Sequence, residues 1–581
     1  VELKGTGVSP GIAMGPALVV ERDSAPVFRL SLSAEGVEAE MERLDAALRL
    51  SREQLLAIKE RLSREVGALH AYIFDAHLLM LEDPLLLEKT RAVIRGERVN
   101  AEWALREVAD ELSGLFEGFT DEYLRERRSD LDDVIGRLQL NLRGSAEAPS
   151  LSRLPGSFVL VAADLSPSEA AELDWERVLA VATDVGSSTY HTAIIARSLG
   201  IPAVVGLKDA TRTVKPGVLI VVDGTRGAVV VEPTDPALAG FRTVQQEYRQ
   251  EEEQLQGTRA LPAVTLEGTS VVLRANVEFP DEASTASVYG AEGIGLFRSE
   301  YLLGRGLKWP SEEQQVDVYR RLLEQMRPHP VTIRTWDVGQ EEFAPGGPSS
   351  PNPALGERAL RLLRRAPEPF RVQLRALLRA GLHGPLRILF PFAAGFADLR
   401  LALDLVQQAR EELRREGVPF QESVPVGLNL EVPGAALVAD LLAPEVEFFS
   451  VGTNDLVQYL LAADRDDPRV AGVYQPLHPA VLRTLAQVVA AAEGQRVPLS
   501  VCGEMAADPL QALLLVGLGF RELSMSPAAI PRVKAAVRAV RADRAREVAR
   551  RSLSLRTAEE IEELLVRELV PSLEAADVSR E

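Results

Sequence analysis

The chain has 581 residues, too many for one ordinary domain, and its 46% hydrophobic content is enough to fill several cores. A net charge of −20 excludes nucleic acid or an anionic membrane as a general partner, while 65 Lys and Arg leave material for a local pocket that takes a small anion. The single cysteine, Cys502, excludes an intrachain disulfide and fits a reducing compartment; with no apolar run long enough to span a bilayer, a cytoplasmic protein without membrane insertion is expected.

Residues 1–30 carry short apolar stretches around the turn-rich Gly5-Thr6-Gly7-Val8-Ser9-Pro10-Gly11. From 31 to 145 the character changes. Met41, Leu44, Leu48 and Leu55 recur at helical spacing, and breaks near Asp83-Pro84 and near Gly96 divide the block into a helical bundle. A Ser/Pro/Gly-rich link from Gly144 to Gly156 leads to strand-like runs at 158–161, 178–181 and 218–222. Together with the N-terminal piece these predict a compact α/β domain. Its most informative stretch is Ser187-Ser188-Thr189-Tyr190-His191, followed by a helical run to Gly200-Ile201-Pro202 and the strand Ala203-Val204-Val205. A helix start offers free N–H groups and a positive dipole end, which suit a phosphate. His191 placed there can attack a phosphoryl donor and hold the group as phosphohistidine. The same residues also read as a helix cap with an incidental histidine.

A Gln/Glu-rich segment, 244–257, predicts a connecting helix. Beyond it a short apolar run, a loop and a helical stretch repeat, with strands expected at 270–276, 293–297, 331–335, 386–390, 425–430, 447–451, 498–501 and 522–525. Eight strand-then-helix units predict a closed (β/α)8 barrel, with an open parallel sheet as the alternative.

Barrel active sites lie at the carboxyl ends of the strands. Arg298 and Glu300 follow the second strand, Arg334 ends the third, and Asn352 and Arg358 lie in or after the Gly/Pro-rich loop 344–356. Glu431 ends the fifth strand, Asn454 and Asp455 follow the sixth with Arg465 beyond, and Cys502, Gly503 and Glu504 end the seventh. Glu431 and Asp455 offer the hard oxygen ligands that Mg²⁺ prefers. Arg298, Arg334, Arg358 and Arg465 make a cage for phosphate and carboxylate. No Walker-type or kinase-type glycine motif is present, so the rim suits a small phosphorylated carboxylate, with Cys502 where a proton donor to a carbanion could stand.

These stretches, with Gly7-Val8-Ser9-Pro10-Gly11-Ile12-Ala13, His77-Leu78-Leu79-Met80-Leu81-Glu82-Asp83, Gly293-Ile294-Gly295-Leu296-Phe297-Arg298-Ser299-Glu300 and Gly452-Thr453-Asn454-Asp455, run the length of the chain. In that order the chain resembles enzyme I of the bacterial phosphoenolpyruvate:sugar phosphotransferase system. The resemblance implies a multidomain α/β protein: residues 1–30 and 146–232 forming a phosphohistidine domain that carries His191, 31–145 an inserted helical bundle that docks the phosphocarrier protein HPr, 233–262 a linker helix, and 263–581 a barrel that binds phosphoenolpyruvate and dimerises. It implies Mg²⁺ on Glu431 and Asp455, substrate held by Arg298, Arg334, Arg358, Asn454 and Arg465, phosphoryl transfer to His191 and then to HPr, protonation of the enolate by Cys502, and the initiation of sugar uptake.

Two departures stand out. The family usually has Gly-Gly-Arg-Thr-Ser before the histidine, where this chain has Gly186-Ser187-Ser188-Thr189-Tyr190. After Arg334-Thr335-Trp336-Asp337-Val338-Gly339 the family continues Gly-Asp-Lys, and here Gln340-Glu341-Glu342 puts acid in place of a cation. They leave two alternatives: a phosphoenolpyruvate-sensing regulator with weak or no turnover, or a paralogue serving a different HPr-like acceptor. The dikinase and synthase relatives need a nucleotide-grasp domain that the chain lacks.

Overall fold

The computed structural model describes residues 1–20, 27–33, 35–65, 73–114, 122–143, 156–165, 170, 173–186, 196, 200–280, 282–303, 309–339, 352–465, 467 and 469–574. The chain divides into two compact units, Val1–Arg249 and Gln250–Glu581.

The first unit is built on strands β1 (Glu2–Lys4), β2 (Thr6–Ser9), β3 (Ile12–Val20), β4 (Phe158–Ala162), β5 (Val178–Thr183), β6 (Ala203–Val205), β7 (Leu219–Asp223) and β8 (Ala228–Val231). They lie in the order β1-β8-β7-β3-β4-β5-β6-β2. β3, β4, β5 and β6 run parallel, and β4 is buried along its whole length, as a strand covered on both faces must be. β3 and β4 are paired neighbours, Ala17 opposite Val159, yet the chain between them contains the helices Gly36–Glu65, Ile73–Leu81, Pro84–Glu97, Ala101–Gly114 and Glu122–Leu142. Those helices have their own core, in which Met41, Leu44, Leu55, Phe74, Leu86, Ile94, Leu105 and Leu138 are buried and Leu48 packs at the margin. Asp83 starts the third of them by accepting from Leu85 N at 2.8 Å, with Pro84 in the first turn where its missing N–H costs nothing. Gly96 remains helical. The turn comes at Arg98, whose left-handed backbone is fixed by Leu32 N donating to its carbonyl at 2.7 Å.

Parallel neighbours need a crossover, and the one from β5 to β6 contains His191. Gly186 at its start and Gly200 near its end have positive φ, and Ile201 N closes the turn on Ala196 O at 2.9 Å. His191 itself, with 187–190, lies outside the described residues, as do 144–155 and 340–351. The expected connecting helix runs from Asp235 to Thr258.

The second unit is a closed barrel of eight parallel strands: β9 (Val272–Val277), β10 (Ile294–Arg298), β11 (Val331–Arg334), β12 (Leu386–Phe390), β13 (Val426–Asn429), β14 (Phe448–Val451), β15 (Leu499–Val501) and β16 (Glu522–Met525). β16 closes on β9 through Leu523 opposite Leu273, which settles the choice between barrel and open sheet. Helices start where polar side chains stand in for missing backbone partners: a reciprocal Ser311–Gln314 capping box before Glu312–Met326, and Asp508 with Pro509 before Pro509–Leu518. A small cluster of Leu296, Leu389, Phe448 and Cys502 packs apart from the main core. Towards the amino ends of the strands, Arg274 Nε and Arg387 Nη1 meet Glu522 at 2.8 and 3.1 Å, and Arg387 lies over the Phe448 ring. No helix among the described residues is long and apolar enough to cross a membrane.

Candidate active site

Several barrel strands deliver residues at their carboxyl ends, or in the segments that follow, to the same rim. At the end of β11, Arg334 is buried between Glu300, which follows β10, and Asp337, whose Oδ2 lies 2.8 Å from Arg334 Nη1. Arg358 grips the same carboxylate in a fork, Nε to Oδ1 at 2.6 Å and Nη2 to Oδ2 at 2.8 Å. Its Nη2 also reaches Asp455 Oδ2 at 3.0 Å, its Nη1 meets Tyr459 Oη at 3.4 Å, and the guanidinium lies 5.0 Å from the Phe392 ring centre. Arg465 Nη1 stands 3.7 Å from the other oxygen of Asp455.

Glu431, two residues past β13, accepts from Phe392 N at 2.7 Å and from the Asn429 amide. Asn429 Oδ1 in turn lies 3.7 Å from Cys502 Sγ, so the thiol is joined to the carboxylates through one side chain. Gly452 lets the chain pass this group: a Cβ there would stand 2.9 Å from both Asn429 Nδ2 and Glu431 Oε2.

Asp337, Glu431 and Asp455 bring carboxylate oxygens within 4.8 Å of one another. Burial and the charges of Asp337 and Asp455 push Glu431 up to about 8. Burial works against ionisation of Asp337 too, but Arg334 and Arg358 hold it down at about 2. Asp455 Oδ1 is buried without a hydrogen-bond partner among the described residues. Crowded hard oxygens, one forced toward its neutral form and one lacking a donor, fit a divalent cation. Burial lifts the Cys502 thiol to about 11, which keeps it protonated at neutral pH.

Of the residues expected from sequence, Arg334, Arg358, Arg465, Glu431, Asp455 and Cys502 are brought into this one array. Arg298 ends β10 and binds Glu278 at 2.9 Å, with its charge felt by Glu300, Asp337 and Cys502. Asn454 pairs with Glu504, accepting from Glu504 N at 2.9 Å and donating to its carboxylate at 3.3 Å. His191 and Glu342 lie outside the described residues. Asp337 and Tyr459 were missed. The signal for Asp337 was its place three residues after Arg334 at a strand end; Tyr459 had none beyond the helical run that follows Asp455.

A barrel whose mouth holds cation-ready carboxylates among closely paired arginines defines an enzyme for a small, multiply charged anion. The family model described as PEP-utilising enzyme, PEP-binding domain, matches residues 252–542; the N-terminal model of the same enzymes matches 4–127, and their mobile domain matches 154–227, which includes His191. The chain is 41% identical over 562 residues to the phosphoenolpyruvate-protein phosphotransferase of Geobacillus stearothermophilus, covering 96% of each. It is 40% identical over 571 residues to that of Staphylococcus carnosus, covering 97% of this chain and 98% of the relative. To that of Bacillus subtilis it is 39% identical over 563 residues, covering 96% and 98%. The chain belongs to the phosphoenolpyruvate-protein phosphotransferase family.

Proposed function

We propose that phosphoenolpyruvate binds at the barrel mouth and gives its phosphoryl group to His191, which passes it to a histidine of HPr. The observation that carries this reading is the interlocked Arg334–Asp337–Arg358 array. Two guanidiniums are held in place by internal carboxylates, and an anion with both phosphate and carboxylate can exchange for those partners without reorganising the site. Arg298, Arg465 and Asn454 extend the same rim.

Glu431 and Asp455, with Asp337 beside them, would hold Mg²⁺, which when bound neutralises charge on phosphate oxygens. A neutral His191 ring nitrogen forms the N–P bond as the bond from phosphorus to the enol oxygen breaks. The electron pair stays on that oxygen as an enolate. Cys502, kept as a thiol by burial, gives its proton to the methylene carbon, and pyruvate leaves. HPr docking on the helical block of the first unit, a homodimer through the barrel, a cytoplasmic setting and a role in sugar uptake belong to the same reading, and the family resemblance supports them.

Exchange of labelled pyruvate into phosphoenolpyruvate tests the rim without any acceptor protein. The wild type is expected to exchange only with a divalent cation present, and Glu431→Gln and Asp455→Asn each to require at least about tenfold more of it. Exchange that persists in excess chelator overturns the assignment of the carboxylates.

A further inference from the structure

Behind the rim lies a hydrogen-bonded chain of side chains that meets the rim only at the backbone. Gln373, in the helix Glu368–Ala380, is 0% exposed and uses its whole amide. Its Oε1 accepts from Trp336 N at 3.0 Å, and its Nε2 donates to Ser299 Oγ at 2.8 Å and to Tyr319 Oη at 3.1 Å. Ser299 Oγ, having accepted from Gln373, donates to the carbonyl oxygen of Arg334 at 2.6 Å. On the other side Tyr319 Oη donates to Gln315 Oε1 at 3.2 Å, and Gln315 Nε2 donates to Pro310 O at 2.9 Å.

One side chain therefore grips the backbone at the end of β11 and just past it, through Ser299 at Arg334 O and directly at Trp336 N. Arg334 stands at one of these points and Asp337, the shared partner of Arg334 and Arg358, follows the other by one residue. Ser299 also precedes Glu300, the second partner of Arg334. Burying an amide where aliphatic packing would serve is costly unless every bond is made, and here two of its three bonds lead to the segment that presents the site.

We infer that Gln373 is a positioning residue for the anion site, holding Arg334 and Asp337 in register so that phosphoenolpyruvate meets a pre-set guanidinium pair. This rests on the proposed assignment of Arg334 to the substrate anion. A displacement of the order of an ångström in such a group weakens capture of the substrate more than it alters the later chemical step.

Pyruvate–phosphoenolpyruvate exchange separates the alternatives, with KM and kcat measured for the wild type, Gln373→Met, Ser299→Ala, Tyr319→Phe and Arg334→Met. Gln373→Met and Ser299→Ala are expected to raise the KM for phosphoenolpyruvate about tenfold, with kcat within about twofold of wild type. Tyr319→Phe removes one acceptor of Gln373 and the link to Gln315 but leaves both holds on the backbone at Arg334 and Trp336, so it is expected to lower thermal stability while leaving KM within about twofold of wild type. If Gln373→Met does not fold, Ser299→Ala reads the same link to Arg334. An unchanged KM in the folded Gln373 or Ser299 variant, or a rise in Tyr319→Phe equal to theirs, overturns the inference, provided that Arg334→Met raises KM. An unchanged KM in Arg334→Met overturns the assignment of Arg334 itself, and the inference with it.

Discussion

At the residue scale the site is governed by where charge is buried. Glu431 is held near 8 by burial and by two carboxylate neighbours, whereas a glutamate in the unfolded chain titrates near about 4.3. The folded protein therefore binds this proton more tightly than the unfolded chain. Its contribution to stability is full below about pH 4, falls as pH rises through the interval up to about 8, and is level above that. We expect the metal-free protein to lose melting temperature across this interval, and Glu431→Gln to flatten the slope; equal slopes in the two proteins would contradict the shift. The thiol of Cys502, pushed to about 11 by the same burial, should alkylate slowly at neutral pH with a rate that climbs until about pH 11. A plateau near the free-thiol value of about 8.5 would contradict it. Cys502→Ala should still accept a phosphoryl group but exchange pyruvate about a hundredfold more slowly, because enolate protonation is then left to water. The residues legible in the sequence were those at or just past strand ends, Arg334, Glu431, Asp455 and Cys502, with Arg358 and Arg465 in the segments beyond. Asp337 was passed over although it stands three residues after Arg334, because what sets it apart is the fork from Arg358, which arrives through tertiary packing.

At the scale of elements, the eight barrel strands were legible to within two residues, since each is a short apolar run closed on both faces. The rim turns were less so. Gly503 follows Cys502 and leaves no room for a side chain: a Cβ would be driven into Thr453 Oγ1 and to 2.9 Å from Thr453 N. Gly503→Ala should cost about 2–3 kcal/mol, read by urea denaturation, and should slow exchange by displacing the neighbouring thiol. A neutral result would mean that the helix Thr453–Leu461, which begins with Asn454 and Asp455, gives way easily. The turn expected near Gly96 falls at Arg98, since a glycine can stay helical when the capping contacts lie two residues further on.

At the scale of the whole molecule, the rim lies on one compact unit and the sequence position of His191 falls in the β5–β6 crossover of the other. The paired strands β3 and β4 explain how a helical block can be inserted without breaking the first sheet, because its chain enters and leaves at neighbouring positions. On the proposed function, the phosphoryl group is carried on His191 between donor and acceptor. The most direct test is intact-mass measurement of the protein after incubation with phosphoenolpyruvate and Mg²⁺, with His191→Ala alongside. The account predicts a gain of one phosphate that is acid-labile and absent from the variant. A wild type that stays unmodified while binding phosphoenolpyruvate, or a variant that still gains the phosphate, would contradict it.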